Sequence, residues 1–443
     1  MKKDDVIVVG GGTAGALAAI AAARQGVKTL VVERFGHLGG TAVYGIPFLG
    51  LLSGGGEKVY GGLVTELLDR LQSEGFAFGI ARGAHWNTPE NPNSYGFNLF
   101  PFDPEGLKYV LQEMLLEAGG EMLLHSTLSD VIVADGRVTE IEVCSYLATE
   151  QLQAKVFLDC TGDATLVKRA GGVFQEKSRT QNSSILFHIG NVDLDAFRGE
   201  LQNGDRIKGR DTWHTRIIYQ QKVEGKPASF VHMAGHLRPF EDDRTITFTA
   251  VSYRDGEIHL NATRIPGLDV TNSWDITRGE IEERRHVMEL MHAMKQTIPG
   301  FQNAILLNTS PLGIRESRNI LGKYTITKED VLSGATFSDG VARGSYPIDI
   351  HDPKGGKTQF QFIAGGGGYE IPFRAMVPSQ LNGVIVAGRC ISADQNAVGT
   401  VRIMGCCLHQ GAAAGFAAAC CVKENVLPSD LDGAQLKQEL LGK

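Results

Sequence analysis

The segment Val6-Ile7-Val8-Val9-Gly10-Gly11-Gly12-Thr13-Ala14-Gly15 constrains this chain more than any other. A continuous apolar run is expected of a parallel strand buried on both faces. The alanine-rich stretch from Ala14 to Gln25 carries a helical pattern. Between them the glycines fall as GxGxxG, and each position has its own physical demand. Gly10 permits the tight turn, Gly12 lets the backbone approach a diphosphate, and Gly15 lets the helix lie close to the strand. The helix N-terminus then stabilises the phosphate charge. A second buried strand, Thr29-Leu30-Val31-Val32, ends at Glu33, 33 − 10 = 23 residues after the first glycine. A carboxylate there can accept hydrogen bonds from ribose hydroxyls. The segment predicts a Rossmann-type dinucleotide-binding unit.

That unit alone leaves the identity of the dinucleotide open. Two further stretches narrow it. After Glu33 comes Arg34-Phe35-Gly36-His37-Leu38-Gly39-Gly40-Thr41, whose paired glycines admit a close backbone approach. Far along the chain, Gly383-Val384-Ile385-Val386-Ala387-Gly388-Arg389 reads as a strand closing on a glycine. Both features resemble the FAD proteins of the glutathione-reductase-like superfamily, and more narrowly the FAD-dependent oxidoreductase family. The resemblance extends over Leu158-Asp159-Cys160-Thr161-Gly162-Asp163-Ala164, Pro311-Leu312-Gly313-Ile314-Arg315-Glu316-Ser317-Arg318, Tyr369-Glu370-Ile371-Pro372-Phe373-Arg374, Val386 to Ala393 and Val401-Arg402-Ile403-Met404. It implies FAD held by Gly10, Gly12, Thr13, Ala14, Gly15, Glu33, Arg34, Gly39, Gly40 and Thr41. It also implies that Thr161, Gly162 and Asp163 flank the cofactor, that Gly388 and Arg389 approach the diphosphate, and that the strand at Leu128 offers backbone contacts to the adenine. Met404 and Gly405 would start a helix aimed at the flavin pyrimidine, where its N-terminus stabilises negative charge on reduced flavin. His37 stands just before Gly39-Gly40 with no specific attachment pattern around it, so the FAD is expected to be non-covalent.

A chain of 443 residues exceeds what one hydrophobic core usually serves. The expected architecture is α/β: a Rossmann-type FAD-binding domain with a parallel sheet, interrupted by an inserted α+β substrate or cap domain. The first part of the FAD domain spans 1–177, the cap 178–335 and the second part 336–443. Short strands are expected at Glu121–Leu124, Leu128–Ala134, Val138–Ser145 and Val156–Leu158, and a helix from Pro104 to about Ala118, capped by Asp103. The cap is expected to contain strands at Ser184–Gly190, Thr245–Tyr253 and Glu257–Asn261 and a charged helix from Asp275 to about Lys295. The Gly-, Asn- and Pro-rich stretch from Gly75 to Asp103 reads as a long loop over the active site. Glycine is in excess, 55 of 443 residues, as nucleotide-cradling loops require.

A net charge of −7 and the absence of a basic run argue against a nucleic-acid partner. The N-terminal apolar run breaks into glycines too early for a signal peptide, and the apolar stretch near Val384 is too short to cross a bilayer. The seven cysteines form no CxxC pair, so a metal or iron–sulfur site is not expected and a reduced, cytoplasmic setting is.

For the substrate the candidates are Arg315, Arg318, His351, Tyr369 and Arg402. Arginine offers bidentate recognition of a carboxylate. Spaced three apart, Arg315 and Arg318 would share one face if helical; pairing of one of them with Glu316 or another acid is the alternative. His351 is a candidate acid/base, with a purely structural histidine as the other reading. Tyr369 follows the Gly365–Gly368 run, through which its phenol could reach a substrate. No second glycine fingerprint exists for a nicotinamide nucleotide, because Pro372 arrives where a helix would have to begin. The expected activity is hydride transfer between flavin N5 and a small polar or anionic molecule, with an external electron donor or acceptor completing the cycle. The alternatives are an NAD-dependent dehydrogenase and a non-catalytic or RNA-modification-associated flavin binder.

Overall fold

The computed structural model describes residues 2–80, 99–177, 181–202, 206–207, 210–211, 216–222, 229–237, 246–351 and 359–441. Most of the loop expected over the active site, residues 81–98, lies outside the described residues, as does the expected domain boundary at 178.

Strand β1 (Lys2–Val9), helix α1 (Thr13–Arg24) and β2 (Thr29–Val32) form the opening unit. Helix α2 (Pro104–Glu117) starts with proline at its first turn, and the Asp103 side chain accepts from the Glu105 N–H, as the sequence predicts. It leads into β3 (Glu121–Leu123), β4 (Thr127–Ala134), β5 (Arg137–Cys144) and β6 (Thr149–Asp159). Near the C-terminus come β7 (Val384–Val386) and helix α3 (Met404–Glu424).

The main sheet runs β3-β2-β1-β6, all parallel, and β6 has two partners on its other side. Its first half, Thr149–Gln153, pairs antiparallel with β5, whose own neighbour is β4. Its last residues, Phe157 to Asp159, pair in parallel with β7. The sequence predicts only the end of β6 because only Val156–Asp159 is continuously buried; Thr149–Gln151 is exposed and polar. The sheet is thus built from both ends of the chain.

Helix α3 is long and apolar enough to cross a membrane by length and composition, a feature absent from the sequence-based expectation, yet its surface is mostly buried inside this fold. It lies on α1 at a distance set by glycine. A Cβ on Gly411 would strike the Ala14 carbonyl oxygen, and one on Gly415 that of Ala18. Close backbone packing of this kind explains why both helices are rich in Ala and Gly.

The middle segment forms a second body. Its six-stranded sheet is antiparallel throughout, in the order Arg216–Lys222, Ser229–Leu237, Ile246–Ser252, Ile258–Asn261, Leu186–Gly190, Ile305–Thr309. The helix Ser273–Thr297 lays Val287, Leu290, Met291 and Met294 into its core beside Phe248 and Ile258. This core draws on residues between Ile185 and Leu312, whereas Ile320, Ile326 and Val331 pack in the larger core with the parallel sheet. Ile320, Ile326 and Val331, within the 178–335 span the sequence assigns to the cap, thus pack with the parallel sheet.

Candidate functional site: a dinucleotide cradle beside a buried arginine cluster

The glycine loop separates its three tasks geometrically. Gly10 has φ +93, and a Cβ there would sit 2.7 Å from the Cys160 carbonyl oxygen, so the turn excludes a side chain twice over. A Cβ on Gly15 would collide with the Gly10 carbonyl oxygen, which fixes how closely α1 follows β1. Gly12 is the opposite case: a Cβ there would meet nothing within 4 Å. Beside it runs the second glycine pair. Gly39 bridges Gly12 and donates to the Gly11 carbonyl at 2.8 Å, and a Cβ on Gly40 would come within 2.9 Å of the Gly12 Cα. An open cradle lined by backbone at the N-terminus of α1, next to Thr13 and Ala14, fits a diphosphate. Thr41 is exposed in the short helical turn Gly40–Tyr44 that follows.

Glu33 is buried at the end of β2. It accepts from the Gly11 N–H at 2.6 Å and from the Phe35 N–H at 2.9 Å. It therefore ties the glycine loop to the chain after β2, and a carboxylate retains lone pairs for ribose hydroxyls. Arg34 is exposed, its guanidinium 4.9 Å from the Phe35 ring centre. His37 stacks on Phe35 and sets Nδ1 3.2 Å from the Leu38 carbonyl. The chain before Leu128 runs alongside this region, with Ser126 N–H donating to the Glu33 carbonyl at 3.0 Å.

The opposite wall comes from the end of β6 and the turn after β7. Asp159 is buried and accepts from Thr161 N–H at 3.1 Å, Thr161 Oγ at 2.8 Å and Val167 N–H at 3.0 Å. It shapes the turn, while Asp163 meets Arg389 at 2.7 Å and Ser317 Oγ at 2.6 Å. The Arg389 guanidinium lies so close over Gly162, which has φ +75, that a Cβ there would approach Arg389 Cζ at 2.8 Å. Gly388 donates its N–H to Gln410 of α3 at 2.8 Å and faces Ala14 of α1. Met404 and Gly405 open α3, with Gly405 against the Leu49 carbonyl. The glycine loop and the turn after β6 thus meet at the start of α1, where Gly388 and the Gln410–Gly411 stretch of α3 also pack.

Three of the five substrate candidates come together. Arg402 reaches Gln181 Oε1 at 3.2 Å and lies 3.7 Å from Asp349 Oδ2; His351 Nε2 lies 3.6 Å from the same carboxylate oxygen. Arg315 donates to the Asn182 carbonyl at 2.6 Å and is buried close enough to Arg402 and Arg264 to feel both charges. Burial, reinforced by Arg402 and Arg264, pulls the Arg315 guanidinium down to about 9. Burial, with Arg315 and Arg402, pulls His351 down to about 4, against the opposing pull of Asp349. Burial opposes ionisation of Asp349, but His351, Arg402 and Arg315 outweigh it and hold the carboxyl below its ordinary range. At neutral pH the cluster contains a neutral imidazole, an ionised carboxylate and guanidinium groups.

The other two candidates stand apart. Residues 313–319 are not helical, so a spacing of three does not align Arg315 with Arg318. Arg318 instead points to the cofactor side, 3.5 Å from the Asp163 carbonyl. Glu316 pairs with Lys177 at 2.9 Å, not with either arginine. Tyr369 is on the strand Tyr369–Pro372 rather than on a pliable loop; it is fully buried and its hydroxyl meets Thr400 at 3.0 Å. A phenol so enclosed does not reach a substrate. Asp349, Arg264 and Gln181 are absent from the sequence-based list. Asp349 had a signal: it alternates with His351, which on a strand puts both on one face.

The profile of the FAD dependent oxidoreductase family matches residues 5–440 of the chain. A comparison with curated protein sequences gives no match. Among solved structures, the chain is similar to p-nitrophenol 4-monooxygenase from Pseudomonas putida, at 13% identity and a TM-score of 0.51, covering 100% of this chain and 87% of that one. It is also similar to a geranylgeranyl bacteriochlorophyll reductase-like protein from Thermoplasma acidophilum, at 16% identity and a TM-score of 0.49, covering 100% and 83%. A flavin-dependent brominase aligns at 13% identity and a TM-score of 0.47, over 100% and 83%. At such identities the likeness concerns the fold alone.

Proposed function

This chain belongs to the FAD dependent oxidoreductase family, and from that premise we propose that it exchanges a hydride with a small polar or anionic organic molecule held at the arginine cluster. FAD, bound non-covalently, supplies a two-electron centre at N5. The observation that carries the reading is the buried grouping of Arg315, Arg402, Asp349 and His351 just before the N-terminus of α3. Arg402 and Arg315 bind an anionic group, since fixed guanidiniums in a low-dielectric site favour one strongly. His351, neutral at pH 7, and Asp349 hold or move the proton that accompanies the hydride. The Gly10–Gly15 loop, Glu33 and the Thr161–Asp163 turn hold the cofactor's nucleotide end, and α3 stabilises negative charge at its flavin end.

The reading makes the protein a dehydrogenase or reductase that returns its electrons to an external small molecule or protein. A cytoplasmic location suits its free thiols. Alanine at Arg315 or Arg402 is expected to leave FAD content unchanged and to slow substrate reduction of the flavin at least ~10-fold, for a lost charge-assisted hydrogen bond. Anaerobic flavin bleaching across hydroxy acids, amines and sugars provides the test. Wild-type rates in both variants would place the substrate elsewhere.

A further inference from the structure

The cluster is unbalanced in charge. Arg264, Arg315 and Arg402 face the Asp349 carboxylate, and the next acid felt by Arg315 is Glu283. Glu283 is held by His286 at 2.9 Å on its own helix. Even with both acids counted, three guanidiniums face two carboxylates and one positive charge is unmatched. Glu283 Oε2 has no hydrogen-bond partner, and neither do two buried atoms around Asp349 itself: Nε of Arg402, a donor, and Oδ1 of Asp349, an acceptor. Their side chains are about nine-tenths buried and lie side by side, 3.7 Å apart through their other atoms. Buried polar atoms are ordinarily paired, and an orphan donor beside an orphan acceptor specifies what would pair them.

We propose that the site takes a 2-hydroxy carboxylate, or the 2-oxo carboxylate it becomes. The carboxylate accepts from Arg402 Nε and neutralises the surplus charge, and the adjacent hydroxyl donates to Asp349 Oδ1. A 2-amino acid would satisfy the same two atoms but would bring an ammonium among three guanidiniums. A carboxylate without the hydroxyl leaves Asp349 Oδ1 unpaired, and a sugar or simple alcohol leaves the charge unmatched. In oxidation the C2–H bond breaks and its electron pair leaves with the hydrogen to the oxidised flavin. The O–H bond breaks, its proton passes to the Asp349–His351 pair, and C2–O becomes a carbonyl. The substrate loses two electrons and the flavin gains them, to be returned to an external electron acceptor. The inference rests on the reading of this cluster as the substrate site.

The test uses the FAD-loaded protein under anaerobic conditions. Lactate, malate, 2-hydroxyglutarate and mandelate are compared with the matching 2-amino acids, with propionate and succinate, and with glucose and ethanolamine. At least one 2-hydroxy acid is expected to bleach the flavin, at least ten times faster than its 2-amino counterpart. The corresponding 2-oxo acid should perturb the flavin spectrum on binding, with a dissociation constant raised about 10- to 100-fold in Arg402→Lys, the range for a charged hydrogen bond. Asp349→Asn should slow bleaching at least tenfold at unchanged FAD content; should that variant lose FAD, the wild-type series decides alone. Bleaching by amines, sugars or 2-amino acids but by no 2-hydroxy acid overturns the inference and leaves the proposed function standing. Bleaching by nothing in the series overturns both.

Discussion

Gly12, just before α1, and Gly15, in its first turn, are three positions apart, and their neighbours give them opposite fates on substitution. Gly12→Ala adds a methyl group into open space, at a backbone φ of −65 that any residue adopts. The apoprotein should keep its melting temperature, while FAD binding weakens at least ~10-fold because the methyl occupies the diphosphate's approach. Gly15→Ala drives a Cβ into the Gly10 carbonyl and should destabilise the apoprotein itself, by about 1–3 kcal/mol or more. Thermal melting of both apoproteins, with an FAD titration of each, separates the two effects. Glu33→Ala removes two backbone partners as well as a ribose acceptor, so its effect on FAD affinity includes a loosened loop. This loop is legible in the sequence because it is local: turn, strand and helix are adjacent and their spacing is fixed. The arginine cluster is legible only in part: Arg315, His351 and Arg402 are candidates from the sequence, but Gln181, Arg264 and Asp349 join them only through contacts between distant segments. Arg318 shows the cost of assuming a helix from spacing alone.

Among the elements, those buried on both faces or strongly periodic are readable from sequence: β1, β2, β7 and the helix Ser273–Thr297. The strands at Arg216–Lys222, Ser229–Leu237 and Ile305–Thr309 are missed. Ile305–Thr309 is a sheet edge with Ile305 and Leu307 exposed, so its pattern has no clear inside. The two crossings between the cores are joined by a polar strut. Lys177 Nζ, itself buried, meets Glu316 at 2.9 Å and the Ser317 carbonyl at 2.7 Å, and Asn319 donates to the Arg389 and Ile391 carbonyls at 2.9 and 2.8 Å. Burial holds the Lys177 ammonium below its usual range, with Glu316 opposing. Glu316→Ala leaves that ammonium uncompensated and should cost about 3–5 kcal/mol. Glu316→Gln retains the acceptor and should cost less. Chemical denaturation of the two variants checks the order; equal losses would mean that packing, not charge, holds the crossing.

On the scale of the whole molecule, acid sensitivity has a defined origin. Burial pulls His259 down to about 3, and His351 and His409 to about 4, all from an ordinary 6.5. The unfolded chain therefore binds these protons more readily than the folded one. The stability they contribute is fully present above pH 6.5 and is lost as pH falls toward 4, each group costing up to about 1.4 kcal/mol per pH unit. The melting temperature should fall steadily from pH 6.5 to 4.5; a flat profile over that window would mean these imidazoles titrate normally. The same shift removes the usual histidine inflection from substrate reduction between pH 6 and 8.

The arginine cluster joins residues far apart in the chain, Arg315 of the middle segment with Asp349 and Arg402 beyond it, and in the proposed reading a substrate held there reduces the flavin. The most direct measurement is the anaerobic rate of flavin bleaching as small organic acids, NADH and NADPH are each raised in concentration. The account predicts saturable bleaching by an organic acid and slow, non-saturating bleaching by either nucleotide below millimolar concentration. Tight saturation with NADH or NADPH, and none with any small acid, would contradict it.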